Sequence, residues 1–267
     1  MAEEKAKEQQ LKSFERLLNI MDDLRSGCPW DRKQTLESLR YLTIEETYEL
    51  SDAILENDLS EIKKELGDLM LHIVFYAKIG EEKGAFDITD VLNGISEKLI
   101  LRHPHIYSDV EARDAKAVSD NWEKIKLKEG KRSVLEGVPK SLPALVKAYR
   151  MQEKASGVGF DWDDDKQVYE KVKEELDEFE TEVKNQSDQA AKEKEFGDIL
   201  FALINYARKM DINPEDALER TNKKFIHRFQ YLEKTTQEKG KSLKDMTVEE
   251  MDVFWDEAKS LENKIRE

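Results

Sequence analysis

One block of residues occurs twice in this chain, in the same order and at nearly the same spacing. Trp30-Asp31-Arg32-Lys33-Gln34 returns as Trp162-Asp163-Asp164-Asp165-Lys166-Gln167. Glu45-Glu46-Thr47-Tyr48-Glu49 returns 129 residues later as Glu174-Glu175-Leu176-Asp177-Glu178. Glu65-Leu66-Gly67-Asp68-Leu69 returns 130 later as Glu195-Phe196-Gly197-Asp198-Ile199. Lys98 and Arg102 are answered by Lys224 and Arg228, and Trp122 and Lys126 by Trp255 and Lys259. A period this long means a duplicated domain, because stacked-repeat proteins repeat every 20–50 residues or so. Two glycines and two of the five prolines fall in Gly130–Ser133 and Gly137–Pro143, which reads as the connection. The expected domains are therefore residues 1–135 and 136–267.

Only 11 glycines and 5 prolines occur among 267 residues, about half of average usage. So few turn formers leave little room for sandwiches or barrels and favour long helices. Leu11, Phe14, Leu17, Leu18, Met21 and Leu24 step by three and four, as one face of an amphipathic helix does. The runs 66–77 and 196–207 are apolar almost all round and predict central buried helices. The fold class expected is all-α: two tandem helical bundles of four or five helices each. The longest unbroken apolar run is Ile199–Ile204, far short of a membrane span. The charged first ten residues predict no secretory leader, and so a cytoplasmic protein without a membrane partner. The single cysteine, Cys28, excludes a disulfide framework and a cysteine zinc site. With 44 basic and 59 acidic residues the net charge is −15, which argues against a nucleic-acid polymer as partner.

The acids carry the chemistry. On a helix, Glu46 and Glu49 share a face, as do Glu65 and Asp68, and the second copy repeats this with Glu175, Glu178, Glu195 and Asp198. Asp68 and Asp198 open strongly apolar stretches and are expected to point into the bundle. Burying an ionised carboxylate unpaired costs on the order of several kcal/mol, and gathering four adds repulsion. A hard divalent cation removes both costs, because Mg²⁺ takes carboxylate oxygens and keeps positions for water and phosphate. A lone E-x-x-E is ordinarily a solvated face; two such pairs in each copy, at matching separation, point to metal. Di-iron bundles use E-x-x-H, which is absent, so an all-oxygen site for Mg²⁺, or Mn²⁺, is expected. Gly67 and Gly197 beside the two aspartates suggest close approach by a helix or ligand.

E-E-x-x-E followed by E-x-x-D resembles the all-α nucleoside triphosphate pyrophosphohydrolases. Cys28–Thr35, Gly67–Met70, Arg102–Tyr107 and Gly157–Trp162 are more specifically similar to the MazG family, and the resemblance runs over nearly the whole chain. It implies a Mg²⁺-dependent enzyme of broad base specificity, cleaving nucleoside triphosphates to monophosphate and pyrophosphate in nucleotide-pool house-cleaning, and a homodimer that completes the bundle halves. It also implies Glu174 and Glu175 as catalytic carboxylates.

Cations must take the charge that develops on departing pyrophosphate. Lys171, Lys194, Lys224 and Arg228 are the candidates in the second copy, and Lys98 and Arg102 in the first. Trp255 with Lys259 one turn on, like Trp122 with Lys126, supplies a stacking face and a phosphate contact. Trp30 and Trp162 are expected to close the bundle end near the substrate mouth, and His72 reads as a satisfied core residue. More lysines flank the second acid set, so the second copy is expected to do most of the turnover. A catalytically silent helical module that senses nucleotide and metal is the alternative class, separated from an enzyme by whether pyrophosphate is released.

Overall fold

The structure, a computed structural model, describes residues 1–108, 133–162 and 164–265. The chain divides into two compact units, Met1–Trp122 and Glu123–Glu267. Among the described residues the helices are the regular elements and no strand occurs, as the turn-poor composition predicts. The first unit contains α1 (Ala2–Gly27), α2 (Leu36–Glu56), α3 (Leu59–Glu82), α4 (Ile88–Arg102) and the single turn α5 (Pro104–Tyr107). The second contains α6 (Ala144–Ser156), α7 (Asp165–Lys184), α8 (Gln189–Lys209), α9 (Pro214–Glu238) and α10 (Val248–Ile265).

Helix boundaries follow side-chain chemistry. Thr35 and Ser38 form a reciprocal cap at the start of α2, and Asp58 accepts from the backbone N–H groups of Ser60 and Glu61 to open α3. Asn57, between them, takes the left-handed conformation with φ 56°, which asparagine tolerates, and reverses the chain within two residues. The second unit turns at Gln186, φ 54°, and starts α8 on an Asp188 cap. Both turns make antiparallel hairpins, α2–α3 and α7–α8. In the first unit α1 packs on α3, and Met21, Leu39, Val74, Phe75 and Ile79 form the core. In the second, α6 packs on α8, and a second hairpin, α9–α10, rests on α6 and α8.

The expectation that 66–77 and 196–207 are buried on all sides fails. Leu66 is 52% exposed and Phe196 51%, and Met70, Ile73, Leu200 and Leu203 are exposed as well. Neighbouring helices cover only part of the circumference of α3 or α8, and the remaining apolar stripe is bare. A Cβ built on Gly67 or Gly197 meets nothing within 4 Å, so no described element makes the close approach those glycines suggest.

Candidate functional site

The two hairpins bring the acids together by simple register. Glu46 and Glu49 lie ten and seven residues before the end of α2, while Glu65 and Asp68 lie six and nine after the start of α3. At 1.5 Å per residue all four stand roughly 9–15 Å from the turn, so they face each other across the hairpin. The second hairpin repeats this, with Glu175 and Glu178 on α7 opposite Glu195 and Asp198 on α8.

Oxygens of Glu46, Glu49 and Glu65 fall within 4.8 Å of one another in the first unit, as do those of Glu175, Glu195 and Asp198 in the second. Each cluster thus gathers three of its four predicted acids, leaving out Asp68 and Glu178. Asp68 still contributes repulsion that raises the Glu46 carboxyl above its usual range, after burial and together with Glu49. Glu178 is likewise raised, by desolvation and then by the charges of Glu175 and Glu195.

The aspartates are not the acids that point inward. Asp68 and Asp198 are half-buried, whereas Glu65 is 2% exposed, Glu175 7% and Glu195 9%. A glutamate three residues N-terminal lies one turn closer to the hairpin loop, on the side that meets the partner helix. Glu65 and Glu195 each keep one buried oxygen, Oε2, without any hydrogen-bond partner. An orphaned anionic acceptor in a cluster of acids is what a cation would satisfy.

Lysines guard the clusters. Lys171 reaches Glu174 and Glu175 at 2.8 Å each, and these bonds raise its pKa. Lys194 lies 2.6 Å from Glu195 and 3.5 Å from Asp198. Lys64 plays this part toward Glu65 at 2.8 Å. Glu174 is exposed and stands outside the three-acid group.

A cavity of about 410 Å³ opens against the second cluster. Glu175, Asp198 and Lys171 line one part, and Gln152, Phe160 and Asn205 are among its other walls. Trp162 lines it too. A cavity of about 260 Å³ in the first unit is bordered by Asp22, Lys78, Glu81 and Asp87 and is not lined by that unit's clustered acids.

Of the remaining predicted contacts, Lys224 and Arg228 lie on α9 and Trp255 and Lys259 on α10. Arg228 is bound by Glu262 at 2.6 Å and stacks over Trp255, which also meets the ring of Phe225. Lys224 and Lys259 are exposed, and none of these four residues lines the cavity beside the acids. Lys98 is exposed on α4, whereas Trp122 and Lys126 lie outside the described residues. His72 is buried, but its Nδ1 finds no partner, which corrects the satisfied-core reading.

Sequence reasoning missed the polar network across the cavity. Arg208 reaches Asp161 at 2.7 Å and donates to Asn205 Oδ1, while Ser156 donates to Asp161 at 2.7 Å. Burial pushes the Asp161 carboxyl up, but hydrogen bonds from Arg208, Ser156 and Lys209 outweigh it and hold it near about 2. Asp161 sits inside the Gly157–Trp162 segment, so the signal was present without its partner, 47 residues away.

Set beside known proteins, the chain matches the MazG nucleotide pyrophosphohydrolase domain twice, over residues 34–107 and 164–232. It is 45% identical over 251 residues to the nucleoside triphosphate pyrophosphohydrolase/pyrophosphatase MazG of Thermotoga maritima, covering 92% of this chain and 95% of that protein. It is 40% identical over 260 residues to the nucleoside triphosphate pyrophosphohydrolase of Escherichia coli K12, covering 94% and 99%. It is 48% identical over 256 residues to the uncharacterized protein YabN of Bacillus subtilis, covering 94% of this chain and 52% of that one.

Proposed function

This chain belongs to the MazG family and hydrolyses nucleoside triphosphates to the monophosphate and pyrophosphate, and on that premise we propose that the second unit carries the working site, that it uses Mg²⁺, and that the protein is a cytoplasmic homodimer. The observation that carries the first point is the cavity. A cavity of about 410 Å³ touches the second unit's acid cluster, and Lys171 stands where cavity and acids meet.

Glu175, Glu195 and Asp198 fit Mg²⁺: the donors are all oxygen, they converge within 4.8 Å, and Glu195 Oε2 lacks another partner. Bound there, the ion would neutralise the triphosphate and lower the pKa of the attacking water. Glu175 and the exposed Glu174, both on Lys171, supply carboxylates able to take that water's proton as it attacks the α-phosphorus. Lys171 and Lys194, with their ammonium groups already among the acids, then balance the charge on pyrophosphate as its bond to the α-phosphorus breaks. The bare apolar stripes of α3 and α8, with a glycine in each, support the dimer.

Product chromatography tests the chemistry: ATP with Mg²⁺ gives AMP and pyrophosphate in equal amounts, and none with the chelated enzyme. ADP and orthophosphate would reject cleavage between the α and β phosphates. Activity untouched by chelation would reject the metal.

A further inference from the structure

The two acid clusters are not balanced by the same number of cations. In the second unit Lys171 lies 2.8 Å from Glu175, and Lys194 lies 2.6 Å from Glu195 and 3.5 Å from Asp198, so every clustered acid has an ammonium beside it. In the first unit Lys64 lies 2.8 Å from Glu65, and among the described residues neither Glu46 nor Glu49 forms an ion pair. Lys64 stands 130 residues before Lys194 and recurs with it, but the residue 129 before Lys171 is Leu42. That leucine is half-buried against the core around Met21, Leu39 and Val74 and brings no charge.

One ammonium against three carboxylates leaves the first cluster with two negative charges, which a divalent cation cancels. Two ammoniums against three leave the second cluster with one, so the same ion would make it positive. The fourth acid of each set, Asp68 or Glu178, shifts both clusters alike. A divalent ion a few ångströms from an ammonium is repelled strongly enough, even at the dielectric of water, to lose affinity by about tenfold. The first cluster has the stronger claim on a cation for a second reason. Glu65 is 2% exposed, and its Oε2, among these acids, has no hydrogen-bond partner.

We propose that Lys171 makes cation binding in the second unit depend on the nucleotide, and that the first unit, with Leu42 in that place, holds a divalent cation between α2 and α3 without any nucleotide. A triphosphate brings the negative charge that the second cluster lacks once the ion is there, and it offers Lys171 phosphate oxygens in exchange for Glu174 and Glu175. Nucleotide and cation then strengthen each other's binding by the same factor. The second unit takes up its metal with its substrate, whereas the first unit's ion ties two helices together and stays. The proposal rests on the acid clusters being the cation sites.

The test is Mn²⁺ binding to the full chain, Mn²⁺ taking the same oxygen donors as Mg²⁺, read by loss of the free ion's electron paramagnetic resonance signal. Without nucleotide, wild type should bind one ion about tenfold more tightly than a second, and Glu46→Gln should remove the tighter one. Lys171→Leu, which imports the first unit's residue, should tighten the weaker ion by about tenfold. If it does not fold, Lys171→Gln carries the comparison. Saturating α,β-methylene-ATP, with its own Mn²⁺ binding subtracted, should tighten the weaker ion in wild type and do less in the Lys171 variant. Two ions of equal affinity in wild type, a tighter ion that survives Glu46→Gln, or a weaker ion indifferent to the Lys171 change overturns the proposal. No bound ion at all, with or without the analogue, sinks the metal reading beneath it as well.

Discussion

Glu195→Gln should make the metal-free protein more stable and the metal-loaded protein less so. Glu195 is 9% exposed, one of its oxygens is orphaned, and the other is paired with Lys194, which is itself largely in solvent. Two further carboxylates lie within 4.8 Å. At that separation and an effective dielectric near 20, each like pair repels by about 3.5 kcal/mol. Lys171 and Lys194 offset much of this, so neutralising one acid leaves a gain of about 1–2 kcal/mol in the absence of metal. For a protein of this size that raises Tm by about 2–8 °C. The exposed pair with Lys194 is lost at little cost. With Mg²⁺ at about a hundred times its Kd the wild type gains about 2.7 kcal/mol, and the variant, missing a ligand, gains little of it. Thermal melts in chelator and in saturating Mg²⁺ should therefore rank the two proteins in opposite orders. An equal Mg²⁺ shift in both would refute the ligand assignment. A lower melting temperature for the metal-free variant would refute the repulsion argument.

Glu175→Gln should reduce kcat by about 10²–10³ by analogy with the loss of one transition-state donor, whereas Glu46→Gln should leave at least about half of the activity; steady-state rates on ATP decide, and a larger effect at Glu46 assigns the work to the first unit. Asp161, held near about 2 against an ordinary 3.8, stabilises the fold above pH 3.8 and loses that contribution as pH falls toward 2. The contribution is about 2 kcal/mol, and urea midpoints of Asp161→Asn should accordingly be lower at neutral pH and flatter across that acid window. Gly197→Ala, with no atom within 4 Å of the new Cβ, should stabilise the helix by about 1 kcal/mol but weaken the dimer we propose across α8; sedimentation at low concentration should show more monomer, and an unchanged dimer would place the interface elsewhere.

Most of the secondary structure was legible because it is local. Three- and four-residue apolar stepping and the scarcity of turn formers are properties of neighbouring residues, and they mark helices without reference to the rest of the chain. The acid clusters were legible for the same reason: fixed distances from a tight turn set the register of a hairpin. What local pattern could not say is which acid turns inward. Asp68 and Asp198 looked buried because apolar residues follow them, but burial depends on how far round the helix its neighbours reach, and α3 and α8 are covered on one side only. The same shortfall of cover exposes Leu66 and Phe196, which hydropathy alone had placed inside.

The difference between the two units was hidden more deeply. Duplication is read by matching what recurs, and the acids, glycines and tryptophans recur. The cavity lies in what does not recur, at Arg25 against Ala155 and at Phe75 against Asn205. Taken singly these are unremarkable substitutions, and within each unit the two positions are 50 residues apart in sequence. The contrast shows only when α1 meets α3 and α6 meets α8: Arg25 lies over the Phe75 ring in the first unit, whereas Ala155 and Asn205 line a cavity in the second. Each unit thus gathers three of its four repeated carboxylates within 4.8 Å, but a different three, Asp198 joining in the second unit where Glu49 joins in the first, and the second cluster also borders a cavity of about 410 Å³.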